Sequence, residues 1–200
     1  VTSAILYRLS ALISAGLLAA CAGTPQVSYY TLASPSLHLQ TTEGDLAVAI
    51  GPLSLPESVD RVQLVLNTGQ NRAEVIDQRR WLQPLHGEVA QALAAHLAND
   101  LGTTQVTTPA QNRSAVPDVR VAVDFLRFES RLGIESVIEA RWTIKRSGAQ
   151  ASASGHAVVR EGALGQDFEV LVAAHDRALA RIAADIAEMI VTKPTSSGSR

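Results

Sequence analysis

The side chains able to do chemistry are few and far apart in this sequence. One cysteine, Cys21, follows Leu17-Leu18-Ala19-Ala20 and precedes AGTP; the five histidines are His38, His86, His96, His156 and His175. A lone thiol can serve as a buried apolar group, a nucleophile, half of an intermolecular disulfide, or an attachment point. Imidazoles bind a metal only when the fold brings them together. His86 and His96 share an expected helix, but ten residues at about 100° each put them on different faces. His175 and Asp176 are neighbours on another helix and do not face one another. Ser152 and Ser154 in ASASGH lack the spaced glycines of a nucleophile elbow. Neither a GxxxxGK[ST] phosphate cradle nor an HExxH zinc pair is present. The residues assign no catalytic group, no metal site and no cofactor, and the expectation is a protein that is not an enzyme.

The residues ahead of Cys21 narrow its chemistry. Leu9 to Leu18 (LSALISAGLL) is uncharged and largely apolar, and Arg8 is the only charge before the cysteine. A basic start, a short apolar run and small residues before a cut site describe a secretory signal peptide over residues 1–20. The run is roughly half of what crosses a bilayer as a helix. Leu18-Ala19-Ala20-Cys21 resembles the lipobox of bacterial lipoproteins. That resemblance implies a diacylglycerol on the Cys21 sulfur, cleavage before it, and acylation of the new amino terminus. One acyl chain holds marginally, whereas several make a lasting anchor. The alternative is a signal peptide with a chance cysteine at its boundary. With Ala22 rather than an aspartate after the cysteine, resemblance to enteric lipoproteins implies the outer membrane, with the protein facing the periplasm.

Composition excludes some partners. The chain carries 17 Lys+Arg against 19 Asp+Glu, a net charge of −2, so it lacks the basic footprint of a nucleic-acid binder. With 46% hydrophobic and 18% charged residues it is expected to fold. Residues 21–26 read as a lipidated tether, 27–193 as one α/β domain and 194–200 as a flexible tail.

The elements follow from periodicity. VSYYTL (Val27–Leu32) predicts a first strand, followed by the polar connection SPSLHLQTTEGD. LAVAI (Leu46–Ile50) predicts a strand buried on both faces and ended by Gly51-Pro52. Gln63–Asn67 and Ala73–Asp77 flank TGQN as a hairpin would. Leu85, Val89, Leu93, Leu97 and Leu101 mark an amphipathic, alanine-rich helix from near Pro84 to Gly102. Period two returns over Asp118–Phe128 and Ile134–Ile144, an antiparallel pair, with a third strand within Ala151–Arg160. A second helix carries Leu171, Ala174, Ala178, Ile182, Ile186 and Met189 on one side. The fold class expected is one compact α/β domain with a mixed sheet and two main helices.

Two stretches stand apart from this pattern: Leu55–Val65 (LPESVDRVQLV) and Arg79–Leu85 (RRWLQPL). Arg80 and Trp81 are open to two readings. They can be structural, a guanidinium beside a half-buried indole, or anchors at a protein interface, where Trp and Arg are enriched. Arg61 is open in the same way.

At these residues the chain resembles the PqiC-like, ABC-type transport auxiliary lipoproteins. The resemblance rests on Tyr29-Tyr30-Thr31-Leu32, Leu55-Pro56 with Asp60-Arg61, Arg80-Trp81 with Pro84-Leu85, Phe128, Trp142 and the alanine-rich last helix. It implies a sandwich like the amino-terminal domain of TolB. It also implies work beside an MCE-domain protein and ABC-type or related inner-membrane transporter subunits, moving lipid between the two membranes. Gln83 stands where relatives often carry an acid, and Val62 where they often carry proline. Three functions stay open: a non-catalytic outer-membrane tether docking a periplasm-spanning partner; a lipid-binding protein with its own apolar pocket; and a periplasmic hydrolase. Arg61, Arg80 and Trp81 are the partner-binding candidates, and self-association into a ring suits such an adaptor.

Overall fold

A computed structural model describes residues 26–32, 46–111 and 116–192. The signal peptide, Cys21, the connection from Ser34 to Asp45 and the tail 194–200 lie outside the described residues. The elements are β1 (Ser28–Tyr30), β2 (Val48–Ser54), β3 (Gln63–Gly69), β4 (Arg72–Trp81), α1 (Leu85–Leu101), β5 (Val106–Thr107), β6 (Val119–Arg131), β7 (Glu135–Arg146), β8 (Ser152–Gly162) and α2 (Phe168–Val191).

The α/β class and both helices are as expected, but the strands divide into two mixed sheets. A five-stranded sheet runs β5-β2-β6-β7-β8, with β2 parallel to β5 and β6 and the last three strands antiparallel. A three-stranded sheet runs β1-β4-β3, with β1 parallel to β4. The hairpin of β3 and β4 meets β6 through a side chain: Asn67 Oδ1 accepts the Ser130 N–H at 3.0 Å. A side-chain amide there, in place of a backbone ladder, keeps the sheets separate.

Alternation along the long strands sends Val119, Val121, Val123 and Phe125 of β6, and Ile138, Ala140, Trp142 and Ile144 of β7, into the core. The pattern changes phase once. β6 and β7 lose register between Phe125 and Arg127, so Leu126 is an extra residue and Phe128 and Ser130 turn inward. A second shift lies in β2, which runs through Gly51-Pro52 instead of ending there. Its register against β6 slips between Ile50 and Leu53, where Pro52 has no N–H to donate.

α1 packs on β2 and β5, α2 on β7 and β8, and the helices pack on each other. Buried Ala90, Ala92 and Ala94 on α1 and Ala174, Ala178 and Ala183 on α2 allow this close approach. Asp167 caps α2, its carboxylate accepting the Glu169 N–H at 2.9 Å. Gly102 ends α1 in the left-handed conformation, at φ 64°. Pro84 starts α1 without a side-chain cap of its own. Asp60 supplies one from a distance, taking the His86 N–H at 3.1 Å.

Candidate docking surface

The three partner-binding candidates part company in the structure. Trp81 is 2% exposed and sits in the main core, its indole edge-on to the His175 ring at 6.3 Å. Of the two readings open for Trp81, so covered a side chain fits the structural one, and the outward surface falls to its neighbours. The reason is strand alternation. Tyr30 and Trp81 are parallel-sheet partners that face the core, so Tyr29 and Arg80 face outward.

Arg80 is half-buried, and its Nε donates to the Asp77 carbonyl at 2.8 Å. Arg61 is exposed; its carbonyl accepts the Leu85 N–H at 3.3 Å, while the Val62 carbonyl accepts that of Trp81 at 2.7 Å. Leu55–Val62 is therefore a brace. It turns at Pro56, whose carbonyl accepts the Val59 and Asp60 N–H groups, then ties the end of β4 and the start of α1 together. A proline at position 62 would keep the carbonyl that receives Trp81.

Two neighbours escaped the sequence reading. Tyr29 is 59% exposed and pairs laterally with Arg80; Leu82 is 66% exposed and its N–H donates to the Tyr30 carbonyl at 2.8 Å. Gln63, two residues beyond Arg61, is also a register partner of Arg80. Tyr29 and Arg80 are thus lateral neighbours at this edge, with Leu82 two residues beyond Arg80 and Arg61 on the adjoining brace; Tyr and Arg are types enriched at interface hot spots. The signal for Tyr29 was its place as the first residue of a Tyr-Tyr pair on a short strand, where one of the two must face out.

The structure also brings together residues that the sequence kept apart. His96 Nε2 lies 3.0 Å from Asp176 Oδ1, joining the two helices. His175, fully buried, stacks on Phe128 at 4.5 Å, and its Nε2 lies 2.8 Å from Ser130 Oγ. A serine beside a histidine is the start of a hydrolytic triad. Here Ser130 is 4% exposed, His175 Nδ1 has no hydrogen-bond partner, and burial pushes the imidazole pKa down to about 3. Nothing orients the ring as a base, and substrate has no path to it.

Nor does the apolar interior hold a lipid chain at this point. The gap among Val59, Val65, Trp81, Leu85 and Phe128 is about 180 Å³ and does not admit a water-sized sphere. A groove of about 390 Å³ on the open face of the five-stranded sheet is lined by Ser54, Asp124, Arg141 and Thr143. The Ser54 hydroxyl, and after it the Arg141 guanidinium donating at 2.9 Å, hold the Asp124 carboxyl there below its usual range. Among the described residues no helix is long and apolar enough to cross a membrane, and no cluster of His, Cys, Asp and Glu could hold a metal.

The family model for the ABC-type transport auxiliary lipoprotein component matches residues 30–187. The chain belongs to this family. Its match runs from Tyr30 of β1 almost to the end of α2, across the brace, the buried tryptophans and both helices. Solved structures agree on the fold. The crystal structure of an uncharacterized protein, 18% identical, superposes with a TM-score of 0.67, covering 82% of this chain and 99% of its own. Protein XCC0632 from Xanthomonas campestris, of the DUF330 family, is 16% identical with a TM-score of 0.65, covering 82% of this auxiliary lipoprotein and 95% of its own chain. No curated protein matches the sequence.

Proposed function

We propose that this protein is a non-catalytic, outer-membrane lipoprotein of an MCE and ABC-type intermembrane lipid transport complex, docking a periplasm-spanning partner through its folded domain. The observation that carries this reading is the pairing of a transport-auxiliary family match with a lipobox cysteine only seven residues before β1. Acyl chains on Cys21 hold the domain at the membrane, facing the periplasm. The surface of Tyr29, Arg80, Leu82 and Arg61 then meets the partner at high local concentration. Trp81 works beneath that surface, fixing the strand that presents Arg80.

The test is a pull-down from membranes with the full-length protein beside a Cys21→Ala variant, followed by mass spectrometry. Co-purification of an MCE-domain protein with transporter subunits is expected, with outer-membrane fractionation lost in the variant. A wild-type protein that brings down neither overturns the reading.

A further inference from the structure

We propose that the apolar rim formed by Ile134, Leu164 and Val170 rests on the bilayer that the protein's own acyl chains enter. The inference rests on the lipidation of Cys21. These three side chains are 60%, 81% and 36% exposed, respectively. Ile134 and Leu164 stand together, the Ala163 N–H donating to the Ile134 carbonyl at 3.0 Å and setting Leu164 beside the β6–β7 turn; Val170 lies in the first turn of α2, six residues after Leu164. Their chain neighbours Ala163 and Leu171 are buried in a cluster with Leu66 and Ala174, against which Ile76, Leu132 and Phe168 pack. The rim is thus the outward edge of a rigid, packed layer. Scattered exposed apolar residues are ordinary, but a backed group of three is not.

The start of β1 lies at this same end. Arg79 donates from Nη1 to the Ser28 hydroxyl at 2.9 Å and places its guanidinium 5.2 Å from the Phe168 ring centre. Tyr30 lies 6.0 Å from that ring. The start of β1 is therefore a single arginine side chain away from the first residue of α2 and its neighbour Val170. Cys21 precedes Ser28 by seven residues, and so short a segment reaches at most about 25 Å even when fully extended. A leash of that length keeps this end of the domain nearest the bilayer. Exposed leucine and isoleucine gain by leaving water for the acyl boundary once they are held there. Asp167 and Glu169 share the rim, so the attraction is apolar and does not depend on anionic lipid.

The test uses the full-length lipidated protein with an environment-sensitive fluorophore on Leu164→Cys, since an acylated Cys21 has no free thiol to label. Ser152→Cys, at the other end of β8, is the reference site. Vesicles of phosphatidylethanolamine and phosphatidylcholine carry a nitroxide on some acyl chains. Emission at position 164 should shift to the blue and be quenched severalfold more than at 152, without change on adding salt. Ile134→Asp with Val170→Asp should reduce that quenching while the protein still floats with the vesicles. Equal quenching at both sites, or none, on protein whose mass shows an acylated Cys21 overturns the rim and leaves the anchor standing. A mature protein without acyl chains overturns the anchor, and the rim falls with it.

Discussion

Ser130 Oγ and His175 Nε2 lie 2.8 Å apart inside the core, with the imidazole flat against Phe128. Among the described residues nothing bonds to the other ring nitrogen, Nδ1, and the buried pair latches β6 to α2. It rests on the register shift near Leu126, without which Ser130 would face outward.

Burial depresses the His175 pKa from 6.5 in the unfolded chain to about 3 in the folded one. Between these values the unfolded state binds the extra proton, so stability is complete above pH 6.5 and falls as pH drops toward 3. The loss from this group should be about 1.4 kcal/mol per pH unit in that window. Urea titrations at pH 7 and pH 5 check it: His175→Gln should show a smaller difference between the two than the wild type.

Gly155 lies under the Trp142 indole, so closely that a Cβ would overlap its six-membered ring. Gly155→Ala must push aside a side chain that is 4% exposed and donates from Nε1 to the Met189 sulfur at 3.2 Å. Overpacking of this kind costs about 1–3 kcal/mol. Gly162→Ala, on the same strand with no neighbour within reach, should leave the melting temperature near that of the wild type.

Asp60→Ala removes the carboxylate that receives the first-turn N–H of α1. A loss of about 1 kcal/mol in denaturant unfolding is expected. Asp60→Asn keeps an acceptor oxygen and should recover most of it.

Trp81→Ala should cost about 3–5 kcal/mol of stability, as truncation of a fully packed aromatic does. Tyr29→Ala, Arg61→Ala and Leu82→Ala sit on the surface and should change stability by about 0.5 kcal/mol or less. In the pull-down, these three should weaken capture of the transport partner while their unfolding curves match the wild type. Normal capture by the triple variant would remove this surface from the docking site.

Most elements and their order were legible in local patterns, though the two-residue β5 was not. Four-residue spacing from Leu85 to Leu101 and two-residue spacing from Val119 to Phe125 are local patterns, and a chain satisfies them wherever it folds. Gly102 as the end of α1 was legible for the same reason. Which faces meet was settled by packing between distant segments. That Trp81 turns inward and Arg80 outward depends on β1 lying beside β4, a pairing between segments about fifty residues apart in the chain. That β2 continues past Gly51-Pro52 depends on β6 accepting a shifted register. Likewise His96 meets Asp176, and His175 meets Ser130, because two alanine-rich helices close on one another over a sheet with one extra residue in β6. Periodicity is written residue by residue, whereas the partner of each face is settled only by how all the buried faces fit together.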